Sequence, residues 1–261
     1  MYVSKRINQS KQEEPQFPSL NALLAGISNN HGIFPIVSDG ADVLSIHFDE
    51  MGNPVRKVLG RSNYRQTHQI FSKKTQKAMS CESLIEFKGC YILETIPEIK
   101  SYQMQPAVIS YTICGETHRH VPDALVEFID GTSCFIEFKP ESELGDEDLI
   151  TRTELLRINL PAHGYGYLVV CDDQVSGIPL INAKLLFHSQ ITEIPQAILM
   201  DIKNLFDSKS NITIGELLST YADITHIKNY LYQLMRTGTI GYDIEKLITS
   251  DSDIYWKGAV R

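Results

Sequence analysis

The stretch His118–Lys139, HRHVPDALVEFIDGTSCFIEFK, carries side chains suited to phosphodiester chemistry. Asp123 follows a proline and opens the apolar, β-rich run Ala124–Ile129. Asp130-Gly131 is a strong hairpin turn signal, and Ser133–Lys139 alternates behind it. That alternation puts Cys134, Ile136 and Phe138 on one face and Ser133, Phe135, Glu137 and Lys139 on the other. In an antiparallel hairpin the start of the first strand lies near the end of the second. Asp123 is therefore predicted to reach the pocket of Glu137 and Lys139. Two carboxylates and a lysine on rigid strands form a seat for a hard divalent cation, which takes oxygen ligands, beside a phosphodiester. A solvated hairpin with charged residues facing water produces the same spelling, so the hairpin alone does not decide.

The elements that must position these residues follow in order. Ser80–Ile96 reads as a helix, with Ser80 as its cap, Glu82 in its first turn and an apolar stripe of Leu84, Ile85, Ile92 and Ile96. Glu82 and Glu86, four apart, are expected on one face of it, either at the site or as a surface pair. A strand Ala107–Ile113 precedes the hairpin. After it come the acidic loop Glu141–Asp148, a helix Leu149–Leu160 carrying Glu154, a buried strand Gly166–Cys171 and a helix Leu180–His188. This order predicts an α/β layer with a mixed sheet.

From about Ile194 three short helices are predicted, Pro195–Phe206, Ile214–Tyr221 and Ile224–Thr237. Two strands, Thr239–Ile244 and Asp253–Trp256, follow in a winged-helix outline. At the other end, residues 1–18 read as a disordered tail and Leu20–Ile27 as a short helix. Ile33–Val37 and Asp42–Phe48 read as a hairpin across Ser38-Asp39-Gly40. The expected division is thus an N-terminal extension (1–53), partly disordered, an α/β domain (54–190) and a winged-helix-like domain (191–261).

Composition narrows the class. The 261 residues are 43% hydrophobic, enough for a packed core. No apolar run approaches a membrane span, and the polar N-terminus has no apolar signal core. The five cysteines are scattered and read as reduced thiols of a cytoplasmic protein, not a zinc site or disulfide framework. The net charge of −8 is unusual for a chain that grips DNA unaided. Yet Arg56, Lys57, Arg61, Arg65, Lys73, Lys74 and Lys77 crowd one acid-free segment, a candidate DNA-contacting stripe that a solvated basic loop would equally explain. From Gln196 onward acids outnumber bases, and the expected recognition helix around Thr225–Arg236 has only Lys228 and Arg236 as firm positive charges. That balance suits docking on protein more than groove reading.

With these parts in order, the sequence resembles the TnsA family, the endonuclease subunits of heteromeric cut-and-paste transposases. The resemblance rests on Phe71-Ser72-x-Lys74, Cys81-Glu82-Ser83-Leu84-Ile85-Glu86, Gln105-Pro106, Val121-Pro122-Asp123-Ala124-Leu125-Val126 and Glu137-Phe138-Lys139-Pro140. It runs roughly from Val55 to His188, with the C-terminal part alike only in outline. It implies a restriction-endonuclease-like mixed sheet flanked by helices and an active site of the PD-(D/E)xK type. Residue by residue, Glu86, Asp123 and Glu137 become metal ligands and Lys139 the catalytic lysine. Glu137 stands where some members have glutamine. Glu82, one turn from Glu86, and Glu154 are further acids beside the site. The implied cofactor is Mg²⁺, with Mn²⁺ able to substitute. The implied partners are transposon-end DNA, a TnsB-like transposase that cuts and joins the 3′ ends, and a TnsC-like ATP-dependent regulator docking on the C-terminal domain. The chain itself would cut the 5′ ends.

Two other readings fit parts of the sequence. One is a stand-alone restriction-like or repair endonuclease, for which a more basic DNA-reading domain is expected. The other is a winged-helix adaptor with a degenerate nuclease domain, against which the intact Asp123, Glu137 and Lys139 speak.

Overall fold

A computed structural model describes residues 42–55, 67–189, 193–209 and 211–258. The chain divides into a unit of residues 1–34 and one of residues 35–261, and every described residue lies in the second. The expected tail, the helix Leu20–Ile27 and the strand Ile33–Val37 lie outside the described residues, as do Arg56, Lys57, Arg61 and Arg65.

The centre is a four-stranded mixed sheet. Its strands are β4 (Ile99–Met104), β7 (Ala124–Phe128), β8 (Ser133–Lys139) and β9 (Tyr165–Cys171), in that spatial order. β4–β7 and β7–β8 pair antiparallel and β8–β9 parallel. β8 is buried on both faces from Cys134 to Phe138, which is why its alternation carries so few polar residues. The turn behaves as its sequence demands: Gly131 has φ +86°, and Asp130 Oδ1 accepts from the Thr132 amide and hydroxyl.

The expected sheet is corrected in one member. Ala107–Ile113 is not in it; β4 is. Ala107–Ile113 (β5) lies in a second, three-stranded sheet between β1 (Asp42–Phe48) and β6 (Glu116–His120). Between β4 and β5, Gln105 takes a left-handed φ of +43° ahead of Pro106, and the strand path breaks there. β1 pairs antiparallel with β5. A short hairpin of β2 (His68–Phe71) and β3 (Ala78–Cys81) completes the group.

α1 (Leu84–Thr95) begins later than predicted. Ser83 is the cap, its Oγ accepting from the Glu86 amide at 3.1 Å, and Ser80 belongs to β3. Glu82 consequently precedes the helix, so the expected one-face stack of Glu82 and Glu86 does not form. α1 packs on β8 and on α3 (Gly177–His188), while α2 (Glu147–Asn159) packs on β9 and β1. The α1–β8 contact is tight at Gly89, where an added Cβ would come within 2.3 Å of the edge of the Phe138 ring. Gly89→Ala should therefore lower stability by about 1–3 kcal/mol, as overpacking does. It should also shift the strand between Glu137 and Lys139; urea unfolding together with cleavage rate checks both. All five cysteines are free thiols, and Cys114 alone is exposed.

The C-terminal elements are α4 (Gln196–Ser208), β10 (Ile212–Thr213), α5 (Ile214–Thr220), α6 (Ile227–Arg236), β11 (Ile240–Tyr242) and β12 (Asp253–Trp256). The three strands form a sheet in the order β10, β12, β11. Ile202, Leu217, Leu231 and Ile254 centre a core of their own, which Leu186 of α3 joins. The buried Asn182 on α3 ties the β11–β12 loop down: its Nδ2 donates to the Lys246 carbonyl at 2.8 Å and its Oδ1 accepts from the Ile248 amide at 3.0 Å. Among the described residues no helix is long and apolar enough to cross a membrane.

Candidate active site

The hairpin register determines the site. Ala124 pairs with Ile136, and one further step sets Asp123 opposite Glu137. Asp123 Oδ2 accepts from the Phe138 amide at 2.7 Å, so its carboxylate lies across the end of β8. Lys139, next on the same face as Glu137, brings Nζ to 3.2 Å from Glu137 Oε1. Glu86 reaches in from the first turn of α1. Its Oε2 accepts from the Glu82 amide at 2.9 Å and from Gln105 Nε2 at 3.1 Å. Gln105 also donates its own amide to the Asp123 carbonyl at 2.8 Å. A buried glutamine in a strained backbone thus ties the helix acid to the strand acid.

Glu137 is the most heavily partnered group. His120 Nε2 stands 3.0 Å from its Oε2, and Arg152 Nη2 stands 3.6 Å from the Oε1 that Lys139 also approaches. His120 Nε2 lies equally close, 3.1 Å, to Tyr167 Oη. One ring nitrogen cannot align with both oxygens, so Glu137 Oε2 is buried without a well-aligned hydrogen bond.

The charges respond to this crowding. Burial, then the charges of Glu137 and Glu86, push the Asp123 carboxyl up to about 8, against the Phe138 amide and Lys139. Burial likewise raises Glu86, with the Glu82 and Glu137 charges adding to it. Burial opposes ionisation of Glu137 too, but His120, Lys139 and Arg152 together outweigh it and hold that carboxyl below its ordinary value. The pocket therefore keeps one firm carboxylate, Glu137, beside two acids that ionise with difficulty.

A divalent cation fits this chemistry. It would relieve the repulsion between Asp123 and Glu137 and satisfy the orphaned Glu137 oxygen. Mg²⁺ needs only one or two protein carboxylates, because it keeps waters and takes phosphate oxygens. The three-acid set does not form a ready cage: among the described residues no three His, Cys, Asp or Glu side chains form a group able to hold an ion as they stand. Glu86 is turned instead toward Gln105 and the Glu82 amide. Glu86→Gln keeps an acceptor for both donors, so the fold should persist while cleavage falls about 100-fold through the lost charge. Thermal melting and single-turnover cleavage on the same preparation check this. Glu82→Gln should have the smaller effect, since the Glu82 backbone amide that serves Glu86 is kept.

Other predicted contacts are placed differently. Lys73 and Lys74, read as part of a DNA-facing stripe, turn inward. Lys73 Nζ donates to the carbonyls of Phe187 and Ser189, the latter at 2.6 Å. Lys74 Nζ donates to those of Ile96 and Ile99, the former at 2.9 Å. Burial lowers the Lys74 ammonium to about 8. Lys77 is exposed. Glu154 is exposed on α2, whereas Arg152, two residues earlier on the helix, is half-buried toward Glu137. His118 is exposed and stacks on Tyr111.

Sequence reasoning missed Arg152, Tyr167 and the part played by Gln105, and it left His120 without a partner. A signal existed for His120: it sits two residues before Pro122 on the strand leading to Asp123. Arg152 and Tyr167 belong to elements whose facing depends on packing, which spacing does not reveal.

Residues 96–164 match a family model described as TnsA-like endonuclease N terminal. The matched span contains Asp123, Glu137, Lys139, His120 and Arg152, and ends before α3. It supports a TnsA-like nuclease, that is, a DNA nuclease of the transposition type. No curated protein matches the chain.

Proposed function

We propose that this chain is a metal-dependent DNA endonuclease of a transposase complex, hydrolysing phosphodiester bonds at the 5′ ends of a transposon. The observation that carries the reading is Asp123 opposite Glu137 with Lys139 at 3.2 Å, inside the segment that matches TnsA-like endonucleases. Asp123 and Glu137 would hold Mg²⁺ or Mn²⁺, with Glu86 adding negative charge from α1. The bound ion supplies stabilisation of charge on the phosphate oxygens and a more acidic water. Lys139 stands beside Glu137, where it orients the attacking water or offsets negative charge developing on the phosphate. His120 and Arg152 keep Glu137 ionised, and the apolar packing of β8 holds all of these groups on a rigid strand end.

The C-terminal unit is proposed as a winged-helix-like domain that docks on a protein. Its three helices and small sheet support that outline. So does its charge: burial and the Glu94 charge act on Arg236, which is half-buried, leaving Lys228 as the exposed cation of α6. Sequence preference would then come from a TnsB-like transposase at the transposon ends, with a TnsC-like regulator as the docking partner. Sequencing of insertion products tests the role. Asp123→Ala should convert simple insertions into fused, replicated products, because 3′-end joining by the transposase continues without 5′ cleavage. Simple insertions at the normal frequency would remove this chain from the 5′-strand step. Truncation before Ile194 should instead abolish recovery of the regulator with the chain.

A further inference from the structure

Glu137 Oε1 is approached by two cations, Lys139 at 3.2 Å and Arg152 at 3.6 Å, and its other oxygen by His120. One carboxylate does not need two permanent cations. The Arg152 contact is too long for a hydrogen bond, and its Nε is buried with no hydrogen-bond partner. The guanidinium hydrogen-bonds Tyr111 and Tyr167 but meets the carboxylate by charge alone, so it is free to exchange that acceptor for another of the same sign. Its surroundings favour an oxyanion of fixed geometry. Tyr111 and Tyr167 anchor the planar fork on one side, and its Nη2 faces Glu137 at the end of β8.

We infer that Arg152 is a substrate-binding residue of the site, releasing Glu137 to the ion and taking a phosphodiester oxygen of the DNA at or next to the cut. The inference rests on the nuclease reading and adds to it a residue and a ligand atom. Lys139 remains the group nearest Glu137, and Arg152 divides the labour with it by holding the phosphate rather than the water.

The test compares full-length wild type, Arg152→Gln and Arg152→Lys. Fluorescein-labelled duplex DNA is titrated over a range of salt with Ca²⁺ in place of the catalytic ion, and Mn²⁺ binding is followed by calorimetry. Arg152→Gln should bind the duplex about tenfold more weakly, with a log–log salt slope shallower by about 0.9, the signature of one lost phosphate contact. Arg152→Lys, which keeps the charge but not the fork, should retain the slope. Mn²⁺ affinity should stay equal or rise in Arg152→Gln, since a competing cation has been withdrawn from Glu137, and stay equal in Arg152→Lys, which keeps the charge. An unchanged slope in Arg152→Gln overturns the assignment. So does Mn²⁺ affinity lost in both variants, which would make Arg152 a prop for Glu137. If Asp123→Asn leaves Mn²⁺ binding at the wild-type level, the nuclease reading itself fails, whatever the Arg152 variants do.

Discussion

Asp123→Asn should remove at least about 1,000-fold of the strand-cleavage rate and at the same time stabilise the metal-free protein. The two effects have one origin. In the proposed function the carboxylate holds the ion, yet in the bare fold it faces Glu137 and Glu86 in a buried pocket. Its folded value of about 8 lies far above its ordinary 3.8, so the fold prefers the protonated form. The stability that Asp123 contributes is therefore full below about pH 4 and drains away as pH rises to about 8. Asparagine has no proton to take up and still offers an oxygen to the Phe138 amide. In EDTA the variant should match wild type near pH 4 and exceed it at pH 8, by on the order of 3 kcal/mol. Urea unfolding across that range checks the sign. The same proton competes with the ion, so Mn²⁺ affinity of wild type should rise about tenfold per pH unit below pH 8. A flat pH profile would mean that Asp123 does not bind a proton in competition with the ion over this range.

Lys139→Ala should reduce cleavage by about 100- to 1,000-fold while leaving ion binding intact or tighter. Lys139 is not positioned to hold a cation; it competes with one for Glu137. Its ammonium lies 3.2 Å from Glu137 Oε1 and 3.9 Å from Glu143 Oε2, partly open to solvent, so truncation leaves no buried hole. Loss of cleavage with retained Mn²⁺ binding would place the lysine in the reaction. Equal loss of both would make it a support for the strand end. Lys139→Arg should not rescue fully, because a broad fork replaces a compact point charge.

The parts of this architecture that the sequence made legible are those ruled by local chemistry. Asp130-Gly131 allows one kind of turn, and the alternation of Ser133–Lys139 then sets which side chains face Asp123. The register found is the one that spelling requires. The helices α2 and α3 were also legible, with α3 beginning three residues earlier than read. The misses share a different cause. β6, Glu116–His120, is polar and largely exposed, so it carries no burial pattern to read. Ala107–Ile113 looks like any buried strand, and its removal to a second sheet depends on the backbone reversal at Gln105. Ser83-x-x-Glu86 spelled a capping box that would have started α1 at the right residue, but Ser80 competed for the part. In the structure Glu86 bonds the Glu82 amide, one residue before the cap. Lys73 and Lys74 illustrate a limit of charge counting. Their sign was plain, but which way they point follows from carbonyls at the ends of α1 and α3, distant in the chain. Arg152 was passed over for Glu154 for the same reason, since only packing tells which face of α2 meets β9.

The central claim is that Asp123, Glu137 and Lys139 form a metal-dependent DNA-cutting centre. Its most direct test is strand-resolved cleavage of end-labelled transposon-end DNA by the purified chain together with the proposed transposase partner. The assay is run with Mg²⁺, with Mn²⁺ and in EDTA, for wild type and Asp123→Asn. The account predicts a product cut on the non-transferred strand for wild type with either ion. It predicts none in EDTA and none from Asp123→Asn, while 3′-strand cutting by the transposase persists in every metal-containing reaction. A non-transferred-strand product of undiminished yield from Asp123→Asn, or from wild type in EDTA, would contradict it.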